Sequence, residues 1–129
     1  MSENSTLKIN VDTTVPRRIP LLWPKPDTRV PEAHRPKPQL DGFVDCEYQY
    51  FSNDELEAQD AAIEAGELDR IDRFHMLVPV INGLPLKDGQ SPREFLDTFK
   101  YGAVIRAAIN ADYFEFIGEG RRGNSGKRR

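Results

Sequence analysis

The chain has 129 residues, 38% of them hydrophobic, a single cysteine and a formal net charge of −3, enough for one domain with a modest core. A lone Cys46 excludes an internal disulfide framework and fits a reducing compartment. No run approaches the roughly 18 apolar residues of a membrane span, and a start reading Met1-Ser2-Glu3-Asn4 predicts no signal peptide.

The charge is segregated. Residues 1–41 carry 7 Lys/Arg and 5 Asp/Glu, residues 42–117 carry 6 and 15, and residues 118–129 carry 5 and 1. An acidic body repels nucleic acid, so nucleic-acid binding would rest on the basic tail.

Leu7, Ile9 and Val11 alternate with polar residues, a short strand pattern. Seven of the ten prolines follow before residue 41. That density from Pro16 to Pro38 disfavours helix interiors and central strands and predicts an extended, partly ordered arm. Trp23, between Leu22 and Pro24, is the arm's strong apolar anchor. It either tucks onto the body or docks on a partner, where tryptophan is enriched.

From Gly42 to Tyr50, Val44, Cys46, Tyr48 and Tyr50 alternate with Asp45, Glu47 and Gln49. This predicts a strand with one apolar and one acidic face, paired with residues 6–12. Ser52-Asn53-Asp54-Glu55 then reads as a capping box, with Phe51 and Leu56 as a hydrophobic staple. The helix it opens should stop at Gly66. A second helix is expected from about Glu67 to Pro79, with Leu68, Ile71, His75 and Val78 on one face and Phe74 and Leu77 adjacent.

Residues 82–89 contain Asn-Gly and Asp-Gly pairs and form a turn-rich connector. A second capping box, Ser91-Pro92-Arg93-Glu94, opens a short helix with Phe95, Leu96 and Phe99 as its stripe. Gly102 should break it. A fourth helix is expected over residues 103–116, with Val104, Ala107, Ala108 and Ala111 facing inward and Ile105 and Ile109 beside them. The Gly-rich basic tail, residues 118–129, is expected to be disordered. The reading is a mainly α (α+β) fold with an N-terminal strand pair followed by about four short helices: an N-terminal strand plus Pro-rich extended arm over residues 1–41, a mainly helical acidic domain over 42–117 and the tail.

Catalytic and metal chemistry finds little support. His34 and His75 are isolated in sequence from each other and from Cys46, which argues against zinc. Ser52 and Ser91 are accounted for as caps, and Cys46 as a buried small hydrophobe. No enzyme activity, cofactor or metal is expected. Gly118-Glu119-Gly120-Arg121-Arg122-Gly123 matches a dinucleotide-binding spacing but follows a helix and precedes none, so the match is empty.

The order of elements from Glu47 to Phe116 resembles the tail assembly chaperones of long-tailed bacteriophages. The residues that carry the resemblance are Phe51-Ser52-Asn53-Asp54-Glu55-Leu56, the Asp-rich helix and apolar stretch from Asp69 to Ile81, the Leu86-to-Leu96 turn and Phe-Leu helix, and the Ala/Ile helix from Ala103 to Tyr113. The resemblance implies a non-catalytic protein of the host cell cytoplasm, absent from the mature virion. It would bind the tape measure protein while tail tube protein assembles, with self-association as a further possibility. Trp23, Phe95, Phe99, Tyr113, Phe114 and Phe116 are the candidate partner contacts. The competing expectation is a small regulatory nucleic-acid-binding protein acting through its basic tail.

Overall fold

The computed structural model describes residue 7 and the backbone of residues 13–125, with side chains as far as Gly118. The fold is α+β. Strands β1 (Val15–Trp23), β2 (Leu40–Tyr48) and β3 (Val80–Asn82) form an antiparallel sheet with β2 in the middle. Helices α1 (Asn53–Glu64) and α2 (Arg70–Leu77) lie between β2 and β3 in the chain, and α3 (Pro92–Thr98) and α4 (Gly102–Ser125) follow.

The period-two pattern of β2 places Val44, Cys46 and Tyr48 in the core. Ile19 and Leu21 of β1 and Ile81 of β3 join them. Four residues of α4 spaced by four, Ile105, Ile109, Tyr113 and Ile117, close the core over this face. The opposite sheet face is solvated. There the Arg18 guanidinium lies 3.8 Å from the Phe43 ring centre and grips the Asp45 carboxylate with two bonds of 2.8 and 3.1 Å.

Both capping boxes form. Ser52 Oγ accepts from Glu55 N–H and Ser91 Oγ from Glu94 N–H, while each Glu accepts from its serine N–H. Gly66 follows α1 with φ +79°, the left-handed conformation that glycine adopts without a Cβ clash. Pro79 lies just beyond α2, which Asp69 caps by accepting from the N–H groups of Ile71 and Asp72.

Several expectations are corrected. The strand predicted at residues 6–12 lies outside the described residues except for Leu7, which is exposed. Its place beside β2 is taken by residues 15–23, the first part of the predicted arm. Prolines tolerate this because β1 is an edge strand. Pro16 and Pro20 are four residues apart and so face the same way, with their missing N–H groups turned to the open edge. They deny that edge two donors and so discourage pairing with other chains.

β2 runs two residues earlier than predicted, which leaves Tyr50 exposed rather than on the apolar face. Residues 80–82, where no strand is expected, form β3, since Pro79 ends the helix and releases Val80 and Ile81 to pair with Glu47 and Cys46. In α2 the core takes Phe74, Leu77 and Val78, while His75 is only half-buried.

Helix α4 is rotated from the prediction. Its large residues, Ile105 and Ile109, are buried, whereas Ala107 and Ala111 are exposed. Burying an isoleucine removes far more apolar surface from water than burying an alanine, so the isoleucine stripe wins. Gly102 starts this helix instead of separating it from α3. A Cβ at this buried position would collide with the Leu96 carbonyl, so glycine lets the two helices meet closely. The α4 backbone continues to Ser125, where disorder was expected, because helix once nucleated propagates at low cost. Residues 126–129 lie outside the described residues.

Candidate partner-binding surface

The six predicted contact residues divide into two groups. Trp23, at the end of β1, is 38% exposed, and its ring centre is 5.1 Å from that of Tyr101. Tyr101 meets Phe99 edge-on, and Phe99 stacks on Phe95. These four rings form one continuous band across the α3–α4 junction. Tyr101 was missed by sequence reasoning because it sits between two helices, where no periodicity marks it.

Tyr113 belongs to the core. It has no exposed surface, and its hydroxyl donates to the Gln49 carbonyl at 2.7 Å. Phe114 and Phe116 are half-buried on either side of it. Phe114 lies under the Arg73 guanidinium, and Phe116 lies beside Tyr48 and Arg17. These rings therefore brace the core and do not extend the Trp23 band.

Around Trp23 the surface opens into an apolar groove of about 810 Å³. Its walls are Leu22 and Trp23 on one side and Val104, Ala107 and Ala108 of α4 on the other. Lys25 is the charged residue among its lining. Leu22 is 42% exposed. Phe95 and Phe99 line a separate pocket of about 280 Å³ with Leu84, Val44 and Ile105. The Trp23 groove was invisible to sequence reasoning because it depends on which way α4 turns.

Two polar clusters anchor α4. In the first, Arg17 donates to both oxygens of Asp112 at 2.8 and 3.0 Å, and the Tyr48 hydroxyl donates to Asp112 Oδ2 at 2.7 Å. Burial opposes ionisation of Asp112, but the bonds from Arg17 and Tyr48 outweigh it and hold the carboxyl below its usual range. Burial, then the Asp112 hydrogen bond, pushes the Tyr48 hydroxyl pKa upward, so it stays a donor.

In the second cluster, Arg106 Nη2 donates to Asp97 and contacts His75 Nε2 at 3.3 Å. A guanidinium has only donors, so His75 Nε2 accepts and the ring is neutral. Burial, then Arg106 and Arg93, lowers the His75 pKa. The hydrogen bond from Arg106 lowers that of Asp97. Arg106 Nε is buried with no hydrogen-bond partner.

Cys46 is 1% exposed, and burial, with Asp112 and Asp45 nearby, pushes its thiol up to about 12. It is thus a protonated packing residue at neutral pH. The Ser52 and Ser91 hydroxyls are engaged as caps. Among the described residues, no three His, Cys, Asp or Glu side chains gather into a metal site, and no helix is long and apolar enough to cross a membrane.

No protein-family model, curated protein or solved structure matches this chain.

Proposed function

We propose that this chain is a tail assembly chaperone of a long-tailed bacteriophage, which binds the tape measure protein without catalysis while tail tube subunits assemble around it. The observation that carries this reading is the open groove beside Trp23, an apolar surface on a body that is otherwise acidic. Such a surface can cover apolar helix in a client, while the body's excess of carboxylates keeps the complex dispersed. The order of helix signals from Ser52 to Tyr113 supports the same assignment.

The test is co-expression with the tape measure protein of the same phage. The soluble fraction of that partner should rise severalfold with this chain and fall back when Leu22→Asp replaces the wild type. Leu22 is exposed, so this substitution leaves the core intact. An unchanged soluble fraction with the wild-type chain refutes the proposal.

A further inference from the structure

We propose that the outer face of α4, centred on Ala107, docks an amphipathic helix of a partner chain whose flank carries carboxylates. This rests on the reading that the protein binds a helical client, and it specifies the chemistry of the segment bound.

Ala107 lies opposite the buried stripe of Ile105 and Ile109, as the helical repeat of about 3.6 residues requires. It borders two different cavities. On one side is the Trp23 groove, shared with Val104 and Ala108. On the other is a pocket of about 230 Å³ between α2 and α4, lined by Arg70, Arg73, Arg106 and Asn110 over an apolar floor that includes Phe74. Ala103, Ala107 and Ala111 run along the ridge between them, exposed and small. A second helix can approach such a ridge closely, to about 8 Å between axes.

The charge of the second cavity decides what kind of helix fits. Three of the six basic residues in the acidic segment 42–117 line it. The side chains of Arg73 and Arg106 are each only 14% exposed, and each is tied to one partly exposed carboxylate, Asp60 and Asp97. Each guanidinium has five N–H donors, and these bonds leave several unused. Arg106 Nε, although unpartnered, is buried beyond a docking partner's reach, so the donors that count are those on the exposed part of each guanidinium. Unused donors on two nearly buried arginines favour a carboxylate, which accepts from guanidinium in a paired geometry. A helix lying along the alanine ridge would thus seat apolar residues against Trp23 and Leu22. Its acidic flank would face Arg70, Arg73 and Arg106.

Trp23 is the chain's single tryptophan, so its fluorescence reports on the groove directly. The probes are two synthetic Ala/Leu helical peptides of about 20 residues, lacking tryptophan and differing only in Glu or Lys along one flank. The full-length chain should bind the Glu peptide with a blue shift of Trp23 emission, and about tenfold more tightly than the Lys peptide. Arg70→Glu, at an exposed position, should cancel or invert that preference. Ala107→Gln, also exposed, should weaken both peptides by about tenfold.

Equal affinity for the two peptides, an unshifted Trp23 spectrum, or a preference unchanged by Arg70→Glu overturns the proposal. So does a self-associated wild type, seen by sedimentation, that Ala107→Gln converts to monomer, since a second copy would then occupy the face. The two readings separate cleanly. If the Glu peptide binds as stated while co-expressed tape measure protein stays insoluble, the chaperone assignment fails and the docking surface stands. If that protein is solubilised equally by the wild type and by Ala107→Gln, the docking surface fails and the assignment stands.

Discussion

The two arginine–aspartate clusters on α4 use the same side-chain types to different ends. At Arg17–Asp112 the carboxylate accepts from two guanidinium nitrogens and from the Tyr48 hydroxyl, tying β1, β2 and α4 together. At Arg106–Asp97 the guanidinium holds one carboxylate oxygen, leans on a neutral histidine and leaves Nε without a partner. A closed cluster stabilises the fold. An open cluster keeps donors in reserve next to a cavity, and that is the kind of place where a partner can add what the fold lacks.

Asp112→Ala should give the largest loss of stability. It removes the Asp112 carboxylate from Arg17 and the nearer of two acceptors, Asp112 at 2.7 Å and the Ile109 carbonyl at 3.4 Å, from the Tyr48 hydroxyl. Removing one member of a buried pair costs about 3–5 kcal/mol, and partial exposure of Arg17 and Asp112, 35% and 20%, reduces this to about 2 kcal/mol. Urea unfolding should show it as a lowered midpoint with an unchanged slope. A midpoint within error of wild type would mean that the closed cluster does not hold α4 to the sheet. Tyr48→Phe tests the same cluster more gently. It keeps the ring packed against Tyr113 and removes one hydrogen bond, for a loss of about 1 kcal/mol.

The open cluster should show itself through pH. The folded pKa of His75 lies below its unfolded value of 6.5 because burial, Arg106 and Arg93 disfavour the imidazolium, against the opposing pull of Asp97 and Asp72. The unfolded chain therefore takes up this proton first as pH falls. The stability that depends on neutral His75 is complete above pH 6.5 and is lost as pH drops through the folded pKa. Asp112 behaves differently. Its folded pKa is lowered from 3.8, so its contribution persists through that window and is lost only as pH falls further. Unfolding midpoints measured between about pH 7.5 and about pH 5 should decline, and His75→Gln should flatten that decline. An equally steep decline in His75→Gln would place the sensitivity elsewhere.

The smallest effect belongs to Arg18→Ala. Its pair with Asp45 is as well formed as that of Arg17 with Asp112, yet it stands on the solvated face of the sheet. Water screens such a pair, and no change in midpoint should be measurable. A clear loss would show that burial is not what separates the clusters.

How much was legible in the sequence depended on how local the cause was. The caps of α1 and α3 were readable because Ser52 reaches Glu55 and Ser91 reaches Glu94 only three residues away. Gly66 and Pro79 acted through their own backbones and were equally readable. The apolar face of β2 was visible in the alternation of Val44, Cys46 and Tyr48. Of the candidate contacts, Trp23, Phe95 and Phe99 join one aromatic band, whereas Tyr113 is sealed in the core. Nothing in the spacing of those aromatics distinguished them, because the burial of each depends on packing against distant segments and not on its sequence neighbours.

The sequence alone thus determined where α1 and α3 begin, where α1 and α2 stop and which residues of β2 turn inward, since hydrogen bonds spanning a few residues, the backbone limits of glycine and proline and the two-residue pleat suffice for these. Only the tertiary structure decided which strand pairs with β2 and which stripe of α4 is buried. Both choices are competitions among distant segments for the same apolar surface. Residues 15–23 could take the edge because Pro16 and Pro20 turn their missing donors outward. The isoleucines took the core because they remove more surface from water than the alanines, which leaves Ala107 outside between a tryptophan-lined groove and three arginines.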